Sequence, residues 1–424
     1  MPDSSALDLK ELATFDPAFP VEPGSEDQIH RRFSPLLVAS DSRRQGASGC
    51  VLKAHNTQGE QFALKLAFDA APGIDTDLLL FEEYRTLTVV SHLKGFPRIY
   101  GWGRIDGRPC IVMEWVEGVT LADAKAELVG AGGSTAADGR TVAAVGRAVL
   151  RTLCAARALN GGFVHRDLSP RNIMFRTGTH TVAEQRDAGN FDICLIDMGS
   201  SSLPAQDSTF TVRAGAWRMG TPAYAPPEML TCDLPGIERL RDSLAIDVYA
   251  LGSILYELYA GVGPFQNPLA GAPSAYRVKM DYEPSPLAPA VPRDRPLTEA
   301  IMASLAREQK QRIDAEELLR RLESYFDEDG TKTTAPIAVS ASHPKTGDAL
   351  SPASKPPAPV VSAATGTIPT VTAAAPVPAP IRLGARAARR RRWRARLVSI
   401  VVILLALAAA IAVTGLVVTA LTAR

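Results

Sequence analysis

Val164-His165-Arg166-Asp167-Leu168-Ser169-Pro170-Arg171-Asn172 sets a carboxylate, Asp167, five residues ahead of an amide, Asn172, with a proline between them. The apolar run that precedes it, Ala148 to Phe163, reads as a helix stopped at Asn160-Gly161-Gly162, a left-handed exit signal. Asp167 and Asn172 are therefore expected on a tight loop just beyond a buried helix. A carboxylate that can orient a hydroxyl, beside an oxygen donor that can hold a hard cation, meets two requirements of phosphoryl transfer. Alone, the triplet His165-Arg166-Asp167 would suit any polar surface loop, so the reading depends on what lies on either side.

Upstream, the pattern is β. Residues Phe33–Ala39, Gly49–His55 and Gln61–Phe68 read as strands separated by turn residues. The first turn holds Gly46 and Gly49, three apart and followed by Val51. Such spacing lets backbone amides approach phosphate oxygens. In Phe62-Ala63-Leu64-Lys65 the lysine points inward from an apolar strand, which is costly unless it is paired. The following helix, read as capped by Thr76 and closed by Gly95, offers Glu82 and Glu83. Glu83 shares a face with Leu79, Leu80, Leu87 and Val90, so Glu83 is the expected partner of Lys65. Residues from Phe96 to Arg104 and Arg108–Glu114, joined at Asp106-Gly107, complete an expected five-stranded antiparallel sheet with one helix. Downstream of Asn172, Ile173-Met174-Phe175 and Ile193–Ile196 read as short strands, the second ending in Asp197-Met198-Gly199. Arg176–Asn190 reads as a polar loop. Ser200–Met219 is rich in Ser and Thr without periodicity, and Gly220-Thr221-Pro222-Ala223-Tyr224-Ala225-Pro226-Pro227-Glu228 follows it. Ser243–Ala260 reads as a buried helix that contains Asp247, and Leu297–Leu322 as two more helices.

Taken in order, these stretches resemble the protein kinase family, and the bacterial Ser/Thr kinases in particular, over about residues 33–325. Val164–Asn172 is similar to its catalytic loop, Gly46–Val51 to its glycine-rich loop, Phe62–Lys65 to its lysine strand, Asp197–Gly199 to its D-F-G motif and Gly220–Glu228 to its G-T-x-x-Y-x-A-P-E segment. The resemblance implies an α+β, two-lobed fold: a β-rich N-lobe to about Val116, a helical C-lobe after it, and ATP in the cleft. It implies catalytic roles for Asp167, Lys65, Glu83 and Arg171. Gly46, Gly49, Val51, Ala63, Lys65, Met113, Glu114, Val116 and Met174 would bind the nucleotide, Met113 as gatekeeper and Met174 closing the adenine pocket from below. Asn172 and Asp197 would hold Mg2+. It also implies that Asp247 anchors the catalytic loop, that Arg312 pairs with Glu228, and that Thr221 favours Ser/Thr hydroxyls of protein substrates. Arg166 would receive a phosphate placed on Ser208, Thr209 or Thr211 by self-phosphorylation.

Three positions depart from the family pattern. Arg44 replaces a glycine and Met198 a phenylalanine. Ser169 stands where Ser/Thr kinases carry a lysine that contacts the γ-phosphate, and Arg171 is read as its substitute. The second reading is therefore a pseudokinase-like scaffold that binds nucleotide without transferring phosphate. A small-molecule phosphotransferase of kinase-like fold is disfavoured by the segment Gly220–Glu228, which serves protein substrates.

Composition bounds the rest. The five cysteines are scattered with no C-x-x-C pair, which argues against a disulfide framework or a zinc site. The formal charge of +1 conceals eight arginines and no acid between Arg382 and Arg396; outside that run the chain is mildly acidic, and nothing suggests a nucleic-acid surface. The expected domains are a flexible extension over residues 1–32, a kinase domain over 33–328, a disordered Ala/Pro-rich linker over 329–381, a basic segment over 382–396 and a transmembrane helix over 397–421. Leu397–Leu421 is apolar throughout and would span roughly 37 Å as a helix, against a hydrocarbon core of about 30 Å. The arginines on its N-terminal side would attract anionic lipid and keep the kinase domain cytoplasmic. The expectation is a single-pass protein of the cell membrane, with no external sensor domain.

Overall fold

The computed structural model describes residues 7–327, apart from the segments 22–23, 40–43, 46–48, 68–74, 130–134, 161, 201–220, 232–235, 271 and 273. These residues fall within one compact unit, Met1–Ser340. The linker, the basic segment and the apolar run 397–421 lie outside the described residues. Among those described, no helix is long and apolar enough to cross a membrane.

The N-lobe holds β1 (Leu7–Lys10), β2 (Leu12–Pro17), α1 (Glu26–Phe33), β3 (Leu36–Ala39), β4 (Arg44–Gln45), β5 (Gly49–His55), β6 (Gln61–Ala67), α2 (Thr76–Val90), β7 (Ile99–Ile105) and β8 (Arg108–Glu114). The expected five strands are present within an eight-stranded antiparallel sheet, ordered β1-β3-β5-β6-β8-β7-β2 with β4 on β5. The surplus comes largely from residues expected to be a flexible extension. β1 pairs with β3, and β2 pairs with β7 at the far end of the path. Only Glu11 separates β1 from β2, so the two ends of the path meet and the sheet curls almost closed. Leu12 pays for the ordering of this segment: it is 1% exposed, inside a cluster with Phe33, Leu36, Phe62, Leu64 and Val112. Phe33 was expected to open a strand; it ends α1 instead, with its ring against Phe15, Phe62 and Tyr100.

Period-two alternation assigns the faces of the central strands. On β6, Phe62, Leu64 and Leu66 enter the closed side, which leaves Ala63 and Lys65 on the opposite face. On β8, Cys110 and Val112 do the same, while Ile111 and Met113 pack with the core of the C-lobe. α2 is capped by Asp75, whose carboxylate accepts from the Leu78 amide at 3.0 Å, rather than by Thr76. It buries Leu80, Glu83, Leu87 and Val90 and ends at Val90, five residues short of Gly95.

The C-lobe adds β9 (Gly118–Thr120), α3 (Lys125–Val129), α4 (Gly139–Asn160), β10 (Ile173–Arg176), α5 (Val182–Ala188), β11 (Ile193–Leu195), α6 (Ile237–Arg241), α7 (Ala245–Ala260), α8 (Gln266–Leu269), α9 (Ala275–Asp281), α10 (Arg295–Ser304) and α11 (Ala315–Asp327). β9, β10 and β11 form a small sheet that runs under the chain leaving β8. A Cβ on Gly118 would lie 2.0 Å from the Phe175 carbonyl oxygen, so only glycine permits that close approach. The region expected to be a loop, 176–190, contains α5, formed because Thr181 and Glu184 make a reciprocal capping box and Gly189 stops the helix with φ 63°. α5 is fastened to α4, whose Arg140 and Arg147 donate to the carbonyls of Asp187 and Gly189 at 3.1 and 2.7 Å.

Candidate active site

Lys65 is 3% exposed, and its Nζ lies 2.5 Å from Glu83 Oε1 and 2.8 Å from Asp197 Oδ1. One ammonium thus joins β6, α2 and the end of β11, and Lys65 and Asp197 stand 132 positions apart in the sequence. Burial by itself lowers the lysine pKa, but Asp197 and Glu83 outweigh it and hold the pKa above the ordinary value. Glu83 also accepts from the Met198 amide at 3.1 Å, so the glutamate orients the lysine and the Asp-Met-Gly turn together. Glu82 stays outside and pairs with Arg85. The side chain of Met198 is 1% exposed and fills the apolar slot expected of it.

The catalytic loop is fixed from below. Asp247, on α7 and fully buried, accepts the amides of His165 and Arg166 at 2.7 and 2.9 Å. Burial pushes its carboxyl up to about 6, opposed first by those two amides. Burial lowers the His165 imidazole to about 4. Near neutral pH the carboxylate is therefore ionised and the ring neutral, which suits an anchor that takes two N–H donors. Arg166 and Asp197 hold φ values of 67° and 63°, a region that costs non-glycine residues of order 1–3 kcal/mol and recurs at functional sites.

On this frame Asp167 Oδ1 accepts the amide and the hydroxyl of Thr221 at 2.9 and 3.1 Å. Asn172 Nδ2 donates to the Asp167 carbonyl at 2.8 Å and to its carboxylate at 3.3 Å. Burial raises the Asp167 pKa, the bonds from Thr221 oppose that shift, and the Asp197 charge adds to it. A carboxylate whose pKa is raised is a stronger proton acceptor, which suits a group that orients a hydroxyl and takes its proton. With its amide nitrogen turned to Asp167, Asn172 presents an amide oxygen as its remaining donor. Asn172 and Asp197 therefore supply the oxygen donors a hard divalent cation takes, and the residues fit such a group.

The nucleotide positions divide. Val116, Met174, Cys194 and Ile196 form an apolar cluster, with Met174 6% exposed. Ala63 pairs with Met113, and Val51 with Lys65, across the strands. A Cβ on Gly49 would lie 2.3 Å from the Leu66 carbonyl oxygen. Gly46 lies outside the described residues. Glu114, whose backbone is expected beside the adenine, has its carboxylate held elsewhere: Arg176 grips both of its oxygens, and the Arg98 amide donates to Oε2 at 3.0 Å. Arg171, expected to replace the missing lysine, is exposed and forms no hydrogen bond among the described residues. Arg166 is expected to receive a phosphate from a segment that lies outside the described residues, and it has partners of its own on the C-lobe. Its guanidinium donates to the Arg241 carbonyl at 2.9 Å and pairs with the carboxylate of Asp242.

Beyond the motifs, Arg312 meets Glu228 bidentately at 2.5 and 2.9 Å, as the resemblance implied. The Glu114–Arg176 clasp and the Thr221–Asp167 bonds went unread. No local pattern signals either, because each joins residues more than fifty apart.

The family model described as "Protein kinase domain" matches residues 44–322. The serine/threonine-protein kinase Pkn1 of Myxococcus xanthus is 29% identical over 302 residues, 67% of this chain and 39% of that protein. PknL of Mycobacterium tuberculosis is 31% identical over 267 residues, 62% of this chain and 58% of that protein. PkaB of Streptomyces coelicolor is 32% identical over 170 residues, 40% of this chain and 36% of that protein. The chain thus spans between about a third and three fifths of the length of these relatives. With the matched region covering well over half of its residues, and with Lys65, Glu83, Asp167, Asn172 and Asp197 gathered as described, the chain belongs to the protein kinase family.

Proposed function

We propose that this protein is an ATP-dependent kinase that transfers the γ-phosphate of Mg-ATP to serine or threonine hydroxyls of proteins, its own Ser200–Thr221 segment among them. The carrying observation is the contact of Lys65 with both Glu83 and Asp197, which readies one buried ammonium for phosphate oxygens. Lys65 would hold the α- and β-phosphates. Asn172 and Asp197 would hold Mg2+, which when bound neutralises and orients the phosphate oxygens. Asp167 would orient the attacking hydroxyl and take its proton as the new P–O bond forms and ADP leaves. Ala63, Met174 and Val116 would enclose the adenine. The names of the bacterial relatives support the Ser/Thr preference.

Purified protein incubated with γ-labelled ATP should label serine or threonine. Asp167→Asn should slow the transfer by about 10²–10⁴-fold, and an unchanged rate would displace Asp167 from its role. One observation favours the second reading, a nucleotide-binding scaffold: Ser169 replaces the lysine while Arg171 points to solvent. Nucleotide binding without any transfer would establish it.

For location we propose a cell-membrane protein anchored by Leu397–Leu421, with the kinase domain cytoplasmic and the arginines of 382–396 on anionic lipid. The linker before them would act as a tether of roughly 40 Å if flexible. Full-length protein should stay in the membrane pellet through a carbonate wash, while a chain ending at Pro380 should be soluble. Release of the full-length protein by salt would leave only the arginines as its hold.

A further inference from the structure

Lys279 belongs to none of the machinery above. It sits on α9, is 1% exposed, and reaches under the segment that carries Thr221. Its Nζ donates to the carbonyls of Ala223 at 3.0 Å and Ala225 at 2.7 Å. The rings of Tyr249 and Phe265 lie 5.2 and 5.4 Å from the nitrogen. Among the described residues no carboxylate lies within ion-pair distance of it. The neighbouring Glu228 is taken by Arg312 and by Gln309 at 3.2 Å, and Glu283 by Arg307, whose Nε donates to the Lys279 carbonyl. A buried ammonium that meets only carbonyls and rings is an expensive way to fill space, and a methionine would pack there at lower cost.

What the lysine holds explains its presence. Ala223 and Ala225 flank Tyr224, whose hydroxyl donates to Glu257 at 2.7 Å. The amides of Tyr224 and Ala225 both bond back to the Thr221 carbonyl, at 2.9 and 3.0 Å, which makes 221–225 a single turn. Thr221 in turn donates twice to Asp167. A polypeptide that brings a hydroxyl to Asp167 must therefore pass against this turn, whose underside is fixed by one cation.

We propose that Lys279 is a positioning residue for the protein substrate: its ammonium holds the Ala223 and Ala225 carbonyls and so sets the turn 221–225 on which a substrate peptide docks. The inference rests on the protein-kinase reading of the site. Burial lowers the Lys279 pKa to about 7, Arg312 adding to the effect and Glu228 opposing it. The charge-assisted hold should therefore weaken just above neutrality, as ionic bonds to the carbonyls become ordinary ones.

The test compares the full-length protein with Lys279→Met and Lys279→Arg, using dephosphorylated casein as substrate. Lys279→Met should raise the KM for casein about fivefold to tenfold, the net worth of about one hydrogen bond, with the KM for ATP and kcat within about twofold of the wild type. Lys279→Arg, which keeps the cation, should recover part of that loss. The ratio of the two KM values, variant over wild type, should shrink from pH 6.5 to 8.5. A Lys279→Met protein with an unchanged KM for casein overturns the proposal, and so does one in which the KM values for casein and ATP rise together. If the wild type transfers no phosphate, the kinase reading fails on its own. Amide hydrogen exchange then decides the role of Lys279: faster exchange at Tyr224 and Ala225 in Lys279→Met upholds the anchor, and unchanged exchange refutes it.

Discussion

Lys65 and Lys279 are both buried lysines, 3% and 1% exposed, and they differ in what meets the ammonium. Lys65 faces the carboxylates of Glu83 and Asp197, and its pKa is held up. Lys279 faces two backbone carbonyls with Arg312 nearby, and its pKa falls to about 7. The desolvation cost is similar in kind for both, so the partner decides. Full opposite charges keep a buried cation permanently charged, whereas carbonyl dipoles leave it near its titration point. A permanent charge suits a phosphate grip that must not vary. A marginal one suits a support whose strength can change with conditions.

The largest expected effect comes from breaking the first member of the pair. Lys65→Met should lower transfer by at least about 10²-fold, the usual loss when one preorganised donor to a phosphoryl group is removed. A folded variant that kept near-normal transfer to casein would remove Lys65 from the phosphate site. Next, Arg312→Ala takes away the cation beside Lys279 and strands the buried Glu228. The cost should be about 3–5 kcal/mol of unfolding free energy, read by denaturant titration. The freed carboxylate should also draw the Lys279 pKa upward. A loss below about 1 kcal/mol would mean that the Arg312–Glu228 pair is not sequestered as described.

The smallest effect concerns stability against pH. Between about 7 and the ordinary lysine value of 10.5, the folded state binds fewer protons at Lys279 than the unfolded chain does. Unfolding free energy at this site therefore rises with pH across that window, and below it the buried ammonium is a constant burden. Lys279→Met should accordingly be more stable than the wild type at pH 6, with an advantage that fades toward pH 9. An advantage that grew with pH would reverse the sign and would place the Lys279 pKa above its ordinary value.

Much of the first lysine's environment was legible, and little of the second's. Helical spacing separated Glu83 from Glu82, and a strand end before glycine marked Asp197. Both signals are local, because an amphipathic period and a turn signature fit within a dozen residues. Lys279 gave no such sign. It lies on a seven-residue helix, and its partners sit more than fifty residues upstream. The same limit hid the Arg176 grip on the Glu114 carboxylate. In the stretch 176–190, polar composition outweighed a capping signature, Thr181 with Glu184, that the sequence did carry. The N-terminal strands were missed for a further reason. The segment carries Asp3, Asp8, Glu11 and Asp16 and is punctuated by Pro17 and Pro20, and its strands pair with distant strands rather than with each other.

Those two strands bear on solubility. β1 and β2 occupy the two ends of the N-lobe sheet and hydrogen-bond the outer sides of β3 and β7. A row of backbone donors and acceptors left open at a sheet end is a template for another chain, and covering it is a common guard against aggregation. Because consecutive strands of a single segment cover both ends, one truncation uncovers both at once and bares the apolar pocket that Leu12 fills. A fragment begun at residue 44, where the family match starts, would keep every residue of the chemistry but lose α1 and β3 along with both covers, leaving β5 and β7 open to pairing with another copy.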